Sequence, residues 1–128
     1  MRWLALLCAG ILAACVQRHD AAALIGGYQL LAMNPNEVYV ANSEKELILG
    51  PTIESVGIID SEIVVYCGWQ QRSVNGFHNT VGYNVIDTKV GSVVKGLDEK
   101  AMMSALRGKN LAVPSLNSPA KYFGGTSN

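Results

Sequence analysis

Ile53-Glu54-Ser55-Val56-Gly57-Ile58-Ile59-Asp60-Ser61-Glu62-Ile63-Val64-Val65-Tyr66-Cys67-Gly68-Trp69 is the stretch that decides the fold. Two runs rich in β-branched residues, Ile53–Ile59 and Glu62–Trp69, flank Asp60-Ser61, a pair suited to a tight hairpin turn. Successive side chains of a strand point to opposite faces. Ile63, Val65 and Cys67 therefore share one face of the second run, and Val64 and Tyr66 share the other.

Outward from this hairpin the same punctuation recurs. Upstream lie Tyr28–Met33, closed by Asn34-Pro35-Asn36, then Glu37–Ala41, the turn Asn42-Ser43-Glu44-Lys45, and Glu46–Leu49, stopped by Gly50-Pro51. Downstream lie Gly82–Asp87 and Gly91–Lys95, joined by Thr88-Lys89-Val90 with Gly91 as a left-handed residue. Asp87 opens that turn, where its carboxylate can accept from the backbone. The spacing predicts a mainly β chain: a compact antiparallel meander of about seven short strands.

The period then changes. Leu97–Gly108 reads as one short helix, the C-terminal α-helix of the fold. Asp98 is its N-cap, Leu97 and Met102 stand at the two positions of a hydrophobic staple, and Met102, Ala105 and Leu106 form its apolar face. Arg107 suits the negative pole and Gly108 suits the left-handed position past the end. Too short to stand alone, the helix must pack on the sheet. Residues 28–113 are read as the β domain with its helix, and 114–128, with Pro114 and Pro119, as a flexible tail.

Composition narrows the classes. Ten basic and ten acidic residues cancel, and no basic stripe is present, so no nucleic-acid partner is expected. At 49% hydrophobic and 16% charged the chain is too apolar for disorder. Length indicates a single domain.

The chemistry-bearing residues read mostly as structure. Cys67 lies in line with Ile63 and Val65, as a small buried hydrophobe does; a Cys67–His78 nucleophile pair lacks a third group. His19 and His78 have no partner at metal-ligand spacing, so neither metal nor cofactor is expected. Glu44, Glu46, Glu54, Asp60 and Glu62 flank turns and alternate with apolar residues, as on a solvated sheet face. No phosphate loop, nucleophile elbow or dinucleotide fingerprint occurs, and no catalytic residue is assigned. The long connection Gln70–Thr80 is the best recognition candidate. Trp69, Arg72, Phe77 and His78 give it the aromatic and arginine content of binding hot spots, while the plainer alternative folds Phe77 back onto the core.

The N-terminus carries a separate signal. Arg2 precedes the apolar run Trp3–Ala14, and polar Gln17-Arg18-His19-Asp20 follow Cys15. The run is shorter than the roughly 20 residues that span a bilayer and fits the roughly 7–15-residue core of a secretory signal. Leu12-Ala13-Ala14-Cys15 resembles the lipobox of bacterial lipoproteins. That resemblance implies removal of residues 1–14, a diacylglyceryl thioether on Cys15 with acylation (typically palmitate) of the new N-terminus, and a lipid-anchored tether over 15–27. In a cell with two membranes, Val16 after the cysteine implies the outer membrane, facing the periplasm. An ordinary secretory signal cut after Ala14 or near Ala21-Ala22-Ala23, and a retained anchor, are the alternatives.

A second stretch, Tyr83–Asp98, resembles an ending shared by small bacterial envelope proteins, some of them immunity proteins that neutralise an envelope-targeted toxin; the Pro often found after the last Gly of that pattern is missing after Gly96. Together these imply a membrane-anchored, non-catalytic protein-binding module whose partner is another protein. A structural or assembly lipoprotein, and a small-ligand carrier, are the other expectations.

Overall fold

A computed structural model describes residues 20–68 and 81–124. The expected mainly antiparallel β fold is what it shows, with eight strands in two sheets in place of about seven in one. The first sheet orders β1 (Asp20–Ala23), β2 (Gln29–Asn34), β3 (Glu37–Ala41) and β4 (Leu47–Leu49) as a meander. The second orders β5 (Ile53–Ile59), β6 (Glu62–Cys67), β7 (Gly82–Asp87) and β8 (Ser92–Leu97) the same way. Gly50-Pro51, read as a strand stop, is where the chain passes from one sheet to the other, and Val38 N–H donates to Pro51 O at 2.9 Å across the junction.

The hairpin at the centre of the sequence forms in the expected register. Ile59 faces Glu62, leaving Asp60-Ser61 as a two-residue turn with Asp60 at φ +53°. Ile63, Val65 and Cys67 turn inward and are fully buried. With Val56 and Ile86 they meet Leu30, Val38, Val40 and Leu49 of the first sheet in one core. Val64 and Val85 point out of the opposite face and receive the helix α1 (Glu99–Arg107) through its buried Met102 and Leu106. The layers are therefore sheet, sheet, helix.

α1 starts as expected. Asp98 Oδ1 accepts from Ala101 N–H at 2.7 Å, and Leu97 packs in the same cluster as Met102. Its end differs. Gly108 keeps right-handed helical angles, φ −60°, and the left-handed residue is Asn110, φ +59°. Leu111 N–H reaches Leu106 O at 3.0 Å and Asn110 N–H reaches Arg107 O at 2.9 Å, so the Schellman cap falls two residues later, with Leu111 packed near Leu106.

Two further expectations are corrected. Within the stretch read as tether, Asp20–Ala23 is a paired strand, register Asp20↔Ala32 to Ala23↔Gln29, and Ala22 is buried. Alanine is a poor strand signal, but backbone pairing along β2 needs no large side chain. Residues 114–124 are not a loose tail. Asn117 exchanges backbone hydrogen bonds with Val56 at 2.8 and 2.9 Å, Tyr122 Oη donates to Val56 O at 2.8 Å, and Phe123 packs on the core. Gly57 makes room for this crossing: a β-carbon there would stand 2.6 Å from both Leu116 Cδ2 and Ser115 O.

Candidate functional site

The strands fix where the recognition candidate leaves the fold. β6 ends at Cys67 and β7 begins at Gly82, and these two residues oppose each other in the ladder. The connection between them thus starts and finishes on adjacent strands that are paired along their full length. Trp69, Arg72, Phe77 and His78 lie outside the described residues, as does Cys15.

Asn84 organises the base of that connection. It is fully buried, and its Nδ2 donates to Gly82 O at 3.1 Å, Val65 O at 3.3 Å and Cys67 Sγ at 3.4 Å. Its Oδ1 accepts from Gly96 N–H at 3.1 Å. One amide thereby ties β6, β7 and β8 together behind the last residues of β6. Tyr66 and Tyr83 pair on the other face, ring centroids 4.8 Å apart.

Cys67 is the one thiol among the described residues and it is buried. Burial pushes its pKa up to about 12; the Glu54 carboxylate adds to the rise and the Lys95 ammonium opposes it. At neutral pH the group is a thiol, whereas a nucleophile or metal ligand needs a thiolate. Cys67 is therefore placed as the core hydrophobe that its alternation suggests. Among the described residues no group of three His, Cys, Asp or Glu side chains comes together as a metal cage.

The carboxylates divide. Glu44, Glu46, Glu54 and Asp60 are exposed, as a solvated face requires. Glu62 is buried, 3% exposed, which corrects its reading as a solvated residue. Its partner comes from beyond the helix. Lys109 Nζ lies 2.9 Å from Glu62 Oε1 and 3.0 Å from Asp87 Oδ2. The Lys109 ammonium and the Val90 N–H hold the Asp87 carboxyl below its ordinary value, and the two carboxylates hold the Lys109 ammonium above its own. Asp87 also accepts from Lys89 N–H at 3.0 Å and Val90 N–H at 3.1 Å, as its turn position predicts. This cluster sits at the far end of the second sheet, on the wall of a shallow open depression, and its charges are spent on pairing with one another.

A mostly apolar groove of about 540 Å³ lies at the end where β1 enters and β2 leaves. Val38 and Ile53 form its buried floor, and Met33, Pro35, Pro119 and Phe123 its sides, with Asp20 on the rim. No single segment reveals it, because its walls come from both sheets and from the stretch read as tail. Phe123, four residues after Pro119, was the available signal.

Comparison with protein-family models, with characterised proteins and with solved structures yields no match for this chain.

Proposed function

We propose that the protein is a lipoprotein of the bacterial envelope, anchored through Cys15 and probed by its partners as a non-catalytic protein-binding module. The observation that carries this reading is the sequence Leu12-Ala13-Ala14-Cys15 at the end of a short uncharged run that follows Arg2. A thioether-linked diacylglycerol with one further acyl chain holds a protein stably, since each buried methylene contributes about 0.8 kcal/mol and two or more chains act together. Val16 supports outer-membrane sorting and a periplasm-facing domain.

The binding surface is residues 69–80, where Trp69, Arg72, Phe77 and His78 supply the contacts. Their composition is that of hot spots, and the opposed strand ends Cys67 and Gly82 give them a rigid base. The neutral, buried Cys67 favours binding over nucleophilic chemistry. The partner is another protein, and the likeness of Tyr83–Asp98 to immunity-type proteins points to an envelope-targeted toxin.

A photo-crosslinking residue placed at Phe77 in cells tests this, with the exposed Val90 as control position. A discrete protein adduct from position 77 alone is expected. The purified partner should then lose at least about tenfold in affinity for Phe77→Ala or Arg72→Ala, with an unchanged Tm, since hot-spot truncations typically cost more than about 1–2 kcal/mol. Equal adducts from both positions, or an affinity indifferent to both variants, contradict the reading.

A further inference from the structure

We infer that the domain rests with its groove end on the bilayer, the apolar groove beside Asp20 seated at the boundary between headgroups and acyl chains. This rests on the Cys15 anchor proposed above and adds an orientation to it.

The length of chain between anchor and fold carries the first part. Residues 16–19 separate Cys15 from Asp20, and Asp20 itself lines the groove. At roughly 3.3–3.6 Å per residue the link from Cys15 to Asp20 spans at most about 18 Å. A six-residue strand such as β2 is about 20 Å long. The opposite end, marked by the close approach of Gly26 to Thr88, is thus a full strand length beyond the point where the tether enters. A tether of this reach keeps the groove end nearest the lipid.

The chemistry of the two ends carries the second part. At the groove end Met33 is 41% exposed beside Pro35, Pro119 and Phe123. The far end carries Asp60, Glu62, Asp87, Lys89 and Lys109 around one depression. Apolar surface leaving water for the upper acyl region is stabilised in proportion to its area, and ion-paired surface is not. Asp20 lines the groove, Glu37 accepts from its Asn34 at 2.8 Å, and Lys121 follows its Ala120; these charges belong at headgroup level. The strand ends Cys67 and Gly82 lie at this same end, since Cys67 opposes Ile53 of the groove floor.

The test uses the full mature protein, reconstituted in phosphatidylethanolamine–phosphatidylglycerol vesicles, with an environment-sensitive fluorophore on Met33→Cys or on Val90→Cys. Both positions are exposed, at 41% and 77%, and the buried neutral Cys67 does not compete for label. Emission from position 33 should shift to the blue on reconstitution and be quenched by lipid-borne spin labels, while position 90 stays unchanged. Adding Ala120→Lys, an exposed change in the groove wall, should weaken the shift at 33. With acyl mass present on Cys15, a response at 90 instead of 33, or at neither, overturns the orientation and leaves the anchor standing. A shift at 33 that persists in detergent and grows with protein concentration assigns the groove to a second copy and overturns it too. Absence of acyl mass on Cys15 overturns the anchor and the orientation together.

Discussion

Lys109 Nζ stands 2.9 Å from Glu62 Oε1, joining the turn after α1 to a carboxylate buried in β6. Glu62 and Asp87 oppose each other across β6 and β7, so the ammonium separates two carboxylates that would otherwise face one another. Lys109→Met leaves Glu62 buried without this partner. Urea denaturation should show a loss of about 1–3 kcal/mol, toward the low end because the Lys109 side chain is 44% exposed and screened. Glu62→Gln in the same background should recover part of the loss, as expected for coupled neighbours. The Asp87 contribution is present above its ordinary pKa of 3.8 and fades as pH falls through its lowered folded value. Acid unfolding of Lys109→Met should accordingly show a weaker dependence in that range.

Alkaline stability follows from Cys67 and Tyr39. In the unfolded chain they ionise near 9.0 and 10.0, and in the fold both are pushed up to about 12 by burial, with Glu37 adding to the rise at Tyr39. The folded state then keeps protons that the unfolded state releases, so stability is full below pH 9 and falls as pH rises toward 12. Lys109, raised above 10.5, adds to the same fall. Cys67→Ala should remove the part of the decline that begins near pH 9. Native Cys67 should also resist alkylation at pH 7 and react fully in guanidinium, measured by peptide mapping; rapid native alkylation contradicts the placement.

Asn84→Ala strips the shared amide from β6, β7 and β8. Gly96 N–H loses its side-chain acceptor and Gly82 O a donor, and an expected cost of about 1–3 kcal/mol should appear in the denaturation midpoint. Hydrogen exchange should rise first at the Gly96 amide, and an unchanged rate there would speak against the tie.

Gly57→Val drives a side chain into Leu116 and Ser115, with Pro114 Cγ 3.0 Å from the β-carbon position. Overpacking of this kind typically costs about 1–3 kcal/mol. The crossing segment should be released before the sheets are, so limited proteolysis should cut within 114–122 while the remaining fragment stays folded.

Much of this architecture was legible in the sequence because alternation is a local signal. Ile63, Val65 and Cys67 against Val64 and Tyr66, the Asp60-Ser61 turn and the Asp98 cap all depend on near neighbours. What escaped depends on distant ones. β1 forms because β2 offers an open edge, and three alanines give no hint of it. Residues 114–124 pack because Gly57 leaves a channel some sixty residues away in the chain, far outside the roughly 11–18-residue window in which patterning is read. Glu62 looked solvated until the Schellman turn at Asn110 brought Lys109 over it. At the candidate site, the thiol's structural role was legible from its register, while the groove needed two sheets and the C-terminal crossing to exist.

The proposed anchor at Cys15 bears most of the functional account, and the intact mass of the protein purified from its native membrane tests it most directly. A polypeptide beginning at Cys15, heavier than its sequence by one diacylglyceryl group and one acyl chain, is the predicted result. A polypeptide beginning elsewhere, at the mass of its residues alone, would contradict it.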